Sequence, residues 1–143
     1  MKVRGFTLIE MMIVIIVIGI LVGILLPHFQ GTQDEASEVR ATSEMRTIAA
    51  AIESYRRHNN NTLPANLTAL ATATPSIISV VPDDPFRAGS NDYSYAKDTN
   101  GVYYVLWSYG RDRTADITGI GTDGKLTGTS DDDLFVSNGT GTF

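Results

Sequence analysis

Met1-Lys2-Val3-Arg4-Gly5-Phe6-Thr7-Leu8-Ile9-Glu10 opens the chain, and residues 11–26 follow it without one polar side chain before Pro27. About 20 apolar residues cross a bilayer core as a helix, and residues 6–26 meet that length. Lys2 and Arg4 put the N-terminus on the cytoplasmic side by the positive-inside tendency. Glu10 breaks the pattern. A carboxylate near the end of an apolar segment is costly unless it is paired or reaches the interface, and no cation lies inside the segment to pair with it. A secretory signal peptide has a shorter apolar core that ends at a small-residue cleavage site, whereas Pro27-His28-Phe29-Gln30 follows this one. A plain single-pass anchor accounts for the length and leaves Glu10 and the Gly5-Phe6 junction unexplained.

Beyond Pro27 the pattern changes. Ala41, Met45, Ile48, Ile52 and Tyr55 recur at three- and four-residue steps, which predicts an amphipathic helix over residues 34–58. Glu53 and Arg57 form a favourable i,i+4 pair on it. Asn59-Asn60-Asn61 ends it. Joined to the apolar segment through residues 27–31, the helix would be about 80 Å long. A soluble domain has no use for such a rod, whereas a fibre subunit can bury the first half against copies of itself. Pro27 removes one backbone hydrogen bond, and Gly19, Gly23 and Gly31 either permit bending or local melting there or allow close helix packing.

Residues 66–73 predict a short helix, with Leu67 and Leu70 pinning it to the long one. Asp83-Asp84-Pro85-Phe86 reads as a turn. Tyr93-Ser94-Tyr95 and residues 102–108 are rich in strand-forming types, and Asn100-Gly101 between them is a hairpin signal. The fold class is therefore α+β: a long N-terminal helix with a small antiparallel sheet packed on its C-terminal half. Residues 59–143 form one head, too short for a second domain. The chain has no cysteine, so neither disulfides nor thiol chemistry is available. Its formal net charge is −5, and an acidic chain lacks the basic face a general nucleic-acid grip needs.

Gly5-Phe6-Thr7-Leu8-Ile9-Glu10, with its basic leader and apolar run, resembles the processing site of type IV prepilins and type II secretion pseudopilins. The resemblance implies that a prepilin peptidase removes residues 1–5 by cutting after Gly5, and that Phe6 becomes an N-methylated N-terminus. It also implies that Glu10 pairs with the α-amino group of a neighbouring subunit's Phe6, which sets axial register in a filament core. In the head, Asp84-Pro85-Phe86, Tyr93-Ser94-Tyr95 and Ser108-Tyr109-Gly110-Arg111-Asp112 make the chain similar to the major pseudopilin of type II secretion. Arg87 and Arg113 stand where glycine is usual, and the stretch after Asp112 is longer than expected.

What the resemblance implies is a structural, non-enzymatic subunit held in the inner membrane by residues 6–27, with its head in the periplasm. It would polymerise with an inner-membrane assembly platform and minor pilins to drive secretion. A type IV pilus subunit for adhesion, motility or DNA uptake, a minor, fibre-initiating subunit and a membrane-tethered binding or enzymatic domain that never polymerises stay open as alternatives.

From Asp112 onward six carboxylates (Asp112, Asp116, Asp123, Asp131, Asp132 and Asp133) face only Arg113 and Lys125, with glycine recurring among them. Calcium takes six to eight oxygen ligands, and an acidic, glycine-rich loop can supply them. Asp123-Gly124-Lys125 lacks the regular acidic spacing of an EF-hand. The family resemblance implies Ca2+ bound by Asp112 and by Asp131, Asp132 and Asp133. A solvated acidic loop is the competing account. Catalysis has little to work with: His28 and His58 have no metal-ligand spacing, Ser108 and Ser130 have no evident base, and phosphate-loop and nucleophile-elbow motifs are missing.

Overall fold

Ala41, Met45, Ile48 and Ile52 share one face of a helix, and in the computed structural model all four are buried, with Tyr55 packed against them. They lie on α1, Leu8–His58. The structure describes residues 5–87, 89, 92–129 and 131–143, with the side chains of residues 26–32 outside that description. Expectations resting on Lys2, Arg4, His28 and Ser130 therefore fall outside the described residues. The backbone of α1 is helical through residues 27–31.

The chain divides into two units, Met1–Ala36 and Ser37–Phe143. In the first, Leu8–Leu25 is long and apolar enough to cross a membrane, and none of it is buried within the chain. Ile13, Ile16, Ile20 and Ile24 are all exposed. An apolar surface that continuous is unstable in water and calls for lipid or other protein around it.

The second unit is the head with its share of α1. Asn60 and Asn61 take left-handed backbone angles (φ 50° and 61°), which end α1 as helix C-termini commonly end. Glu53 pairs with Arg56 at 3.3 Å, in place of the expected Arg57 partner, an i,i+3 choice. Helix α2 is Thr68–Thr72, shorter than expected, and the Asn66 side chain accepts the Ala69 N–H at 3.0 Å beside its start. Leu67 and Leu70 bury in the same cluster as the α1 face.

Strand β1 is Ser94–Lys97 and β2 is Tyr104–Ser108, paired antiparallel with Ser94 opposite Trp107 and Lys97 opposite Tyr104. Their connection is wider than a two-residue hairpin. Asp98 turns it by accepting the N–H groups of Asn100, Val102 and Tyr103 at 3.0, 2.7 and 2.8 Å. Burial opposes ionisation of Asp98, but those donors outweigh it and hold the carboxyl below its usual range. Strand β2 is buried on both faces, which is why it reads as a continuous apolar run. Tyr104 and Leu106 join the α1 cluster, while Val105 and Trp107 join a second one with Ile117, Ile120 and Leu126.

The region after Asp112 corrects the expectation of an acidic loop. It contains β3 (Ile117–Ile120), β4 (Leu126–Gly128) and β5 (Leu134–Ser137). β5 pairs with the free side of β2, so one sheet has the order β1-β2-β5 and β3-β4 form another. Its strands are three or four residues long and interrupted by glycine, too short to display alternation among so many acids. Each acts through tertiary partners. The C-terminal segment then closes over the β3-β4 turn, with the Thr140 N–H donating to the Gly124 carbonyl at 2.9 Å.

Candidate functional site

Two places are candidates for functional chemistry, one in each unit. At the start of α1 the Thr7 hydroxyl donates to Oε2 of Glu10 at 2.7 Å, and the Thr7 N–H donates to the same oxygen at 2.9 Å. The Glu10 N–H in turn meets the Thr7 hydroxyl oxygen at 3.3 Å. This is the reciprocal capping box of Ser/Thr-x-x-Glu, which satisfies helix-start donors that otherwise lack partners. Glu10 therefore has a neutral partner within its own chain. The sequence Thr7-Leu8-Ile9-Glu10 carries this signal in its Thr-x-x-Glu spacing, although a carboxylate in an apolar segment first suggests a cationic partner. Gly5 and Phe6 precede the helix and are exposed.

The head site grows from a buried carboxylate. Asp84, 2 % exposed, accepts the Ser108 hydroxyl at 2.6 Å and the Phe86 N–H at 3.0 Å through Oδ1. Its Oδ2 accepts the Tyr109 N–H at 3.1 Å. One side chain thus clamps the Asp-Pro-Phe turn to the end of β2 and sets the direction in which residues 109–112 leave the sheet. Gly110 follows in a left-handed conformation (φ 67°), and a Cβ there would lie 2.5 Å from the Asp132 carbonyl oxygen. That close approach brings the turn before β5 onto the chain after β2. The Asp112 N–H then donates to Oδ2 of Asp132 at 2.8 Å.

Asp112, Asp116 and Asp132 converge there, each offering an oxygen within 4.8 Å of the others. Two oxygens on opposite sides of a calcium ion are about 4.8 Å apart, so one ion could touch all three. Carboxylate oxygens without a hydrogen-bond partner cluster in the same region: Oδ2 of Asp116, Oδ1 of Asp132 and Oδ1 of Asp133. Asp133 is only 7 % exposed, and its other oxygen accepts the N–H groups of Asp116 and Ile117, both at 2.8 Å. Burial raises the Asp133 carboxyl above its usual range, and those two donors do not fully offset it. Asp116 is raised as well, by burial first and then by repulsion from Asp112, Asp131 and Asp132.

An orphaned buried oxygen beside three converging carboxylates fits a hard cation held by oxygen. Of the expected ligands, Asp112 and Asp132 meet in this group, Asp131 is exposed and outside it, and Asp133 mainly braces the Asp116 backbone. Asp116 was missed as a ligand. Its only sequence signal was a position four residues after Asp112.

On the rim of the group Arg111 reaches α1. Its Nε and a terminal nitrogen, Nη2, donate to the two Glu38 oxygens at 2.5 and 2.9 Å, a two-pronged ion pair. The Arg111 hydrogen bond holds the Glu38 carboxyl below its usual range, against its partial burial and the nearby Asp132 charge.

Residues 1–26 match the family described as the prokaryotic N-terminal methylation motif. Residues 28–138 match that of type II secretion system protein G. Type II secretion system core protein G of Escherichia coli K12 is 31% identical over 135 residues, covering 92% of this chain and 89% of that protein. The Aeromonas hydrophila protein of the same name is 33% identical over 133 residues, covering 90% and 88%. That of Pseudomonas aeruginosa is 30% identical over 138 residues, covering 94% and 93%. With a methylation motif on the apolar helix and the protein G pattern across the head, the chain belongs to the type II secretion system protein G family, the structural pseudopilins.

Proposed function

We propose that this chain is stored in the inner membrane through residues 6–27 with its head in the periplasm. On the cytoplasmic side of that membrane a prepilin peptidase cuts after Gly5, and Phe6 is N-methylated. Mature subunits then polymerise, through the assembly platform and minor pilins, into a pseudopilus whose growth drives protein secretion. The observation that carries this reading is the run Leu8–Leu25, apolar except for Glu10 and unburied within its own chain. A membrane satisfies that surface in the stored subunit, and neighbouring helices satisfy it in a fibre. Glu10 would leave its Thr7 cap to meet the Phe6 amine of a neighbour, a charge pair that sets register. The work is mechanical, and no enzymatic step enters it.

Calcium belongs to the same proposal. Asp112, Asp116 and Asp132 would hold the ion, with Asp133 bracing the Asp116 backbone and Asp131 adding charge nearby. The ion supplies the positive charge that these acids lack and cross-links the chain after β2 to the turn before β5, a staple in a head without disulfides.

Intact-mass measurement of the membrane-extracted protein tests the processing. The expected species lacks residues 1–5 and carries one added methyl on Phe6. A chain that keeps Met1 in cells containing the cognate peptidase overturns the proposal.

A further inference from the structure

Asn-Gly occurs at Asn100-Gly101 and again at Asn138-Gly139, and the fold places the two in opposite surroundings. Asparagine is a thermally labile residue, because a backbone nitrogen can displace its side-chain amide. A following glycine puts no side chain in the way of that attack and lets the backbone bend into it. Asn138 is held at both ends of its amide. Its Oδ1 accepts the Tyr104 N–H at 2.7 Å, and its Nδ2 donates to the Val102 carbonyl at 3.0 Å. The Gly139 N–H donates to the Ser137 hydroxyl oxygen at 2.9 Å, and a Cβ on Gly139 would lie 2.3 Å from the Gly124 carbonyl oxygen. The backbone there has no room to bend.

Asn100 lies exposed in the connection between β1 and β2. Its backbone N–H donates to Oδ2 of Asp98 at 3.0 Å, while its side-chain amide takes no hydrogen bond among the described residues. Gly101 has open space where a Cβ would be, and its N–H makes one 3.1 Å bond, to the Asp98 carbonyl. Exposed connections of this kind open locally at little cost.

We propose that Asn100 is a site of spontaneous deamidation in the folded head, with Gly101 supplying the nucleophile and water as the co-reactant. The Gly101 nitrogen bonds to Cγ of Asn100 and gives up its proton. The Cγ–Nδ2 bond breaks, and the amide nitrogen leaves with that proton as ammonia. Water then opens the succinimide at either carbonyl, which leaves aspartate or isoaspartate at position 100, and nothing is oxidised or reduced. Either product sets a new carboxylate beside Asp98, the acid that turns this connection. Isoaspartate also adds a carbon to the backbone between Asp98 and the Val102 and Tyr103 N–H groups that it accepts. The connection therefore loosens as a subunit ages, whether or not the head binds calcium.

The experiment ages the full chain in detergent and isotopically labelled water, with and without denaturant, and maps its peptides by mass spectrometry. In the folded chain Asn100 is expected to exchange NH for O at least about tenfold faster than Asn138, whose amide must first break two more hydrogen bonds. The label should appear in the new carboxylate. In denaturant the two sites should convert at comparable rates, since the protection of Asn138 is then gone. Gly101→Ala should slow conversion of Asn100 severalfold, because a Cβ hinders ring closure.

Equal rates at the two sites in the folded chain, or faster conversion of Asn138, would overturn the inference. So would an Asn100 that survives in the folded chain while denaturant converts both, since the turn would then protect it. An unchanged rate in Gly101→Ala would remove the Gly101 nitrogen as the nucleophile.

Discussion

Ser108 donates its hydroxyl to Asp84 at 2.6 Å in a place where neither side chain meets water. A serine on the last position of β2 and an acid in a turn well before it thereby decide where the acidic chain begins. The contact explains in physical terms why an Asp-Pro-aromatic turn and a Ser-x-Gly-x-Asp run occur together.

Asp84→Ala should destabilise the head by about 3 kcal/mol, because it strands the Ser108 hydroxyl and the N–H groups of Phe86 and Tyr109 without their acceptor. Ser108→Ala removes one donor and should cost about 1 kcal/mol. Denaturant midpoints of the full chain in detergent measure both. If the two variants shift equally, Asp84 is not the shared acceptor it looks to be.

Glu10→Ala should insert into the membrane and assemble few fibres. Glu10→Gln separates two roles of the side chain, since it keeps an oxygen to accept from Thr7 but has no charge for a neighbour's amine. Poor fibre yield in electron micrographs of both variants is expected. Normal fibres from Glu10→Gln would mean that the local cap suffices and that charge pairing is unnecessary.

Calcium should raise the melting temperature. A ligand that binds only the folded state stabilises it by about 2.7 kcal/mol at a hundredfold excess over Kd, which is several degrees for a domain of this size. Magnesium should substitute poorly because it demands tighter octahedral geometry. Asp112→Ala, Asp116→Ala and Asp132→Ala should each abolish most of the shift, and Asp131→Ala should not. Melting curves that coincide in chelator and in calcium would leave the acids as a solvated cluster.

Gly110→Ala should cost about 1–3 kcal/mol through backbone strain and its collision with Asp132. Gly101→Ala is the control: it has nearly the same φ (68°), but its Cβ would meet open space. It should cost about 1 kcal/mol and leave calcium binding unchanged. Chemical denaturation and a calcium titration of both variants check the comparison. Similar calcium affinity in the two would mean that the approach of Asp132 to residue 110 does not shape the site.

Much of the architecture was legible because its signals are local. Residues 11–26 carry their membrane character without reference to anything distant, and the spacing from Ala41 to Ile52 displays the buried face of α1 directly. Tyr104–Ser108 announced itself as a strand because it is buried on both sides. The capping partner of Glu10 is equally local, three residues away, and is a neutral hydroxyl where the charge pattern points to a cation. Glu53 taking Arg56 over Arg57 shows the opposite limit: sequence spacing allows both partners, and side-chain geometry in the folded head selects one.

The sequence by itself determined an apolar helix with one carboxylate near its start, a hydrophobic face that continues it, and an excess of acids near the C-terminus, because each follows from residue type and spacing. Only the tertiary structure decided which acids meet. β5 crosses to the free edge of β2 and carries Asp132 with it, and Gly110 admits that approach by having no side chain. Asp116 enters the group and Asp131 does not because backbone N–H groups, supplied across the fold, turn Asp133 inward and fix its neighbours. Partners far apart in the chain meet only when the strands between them pair, and their spacing in sequence carries no trace of that distance.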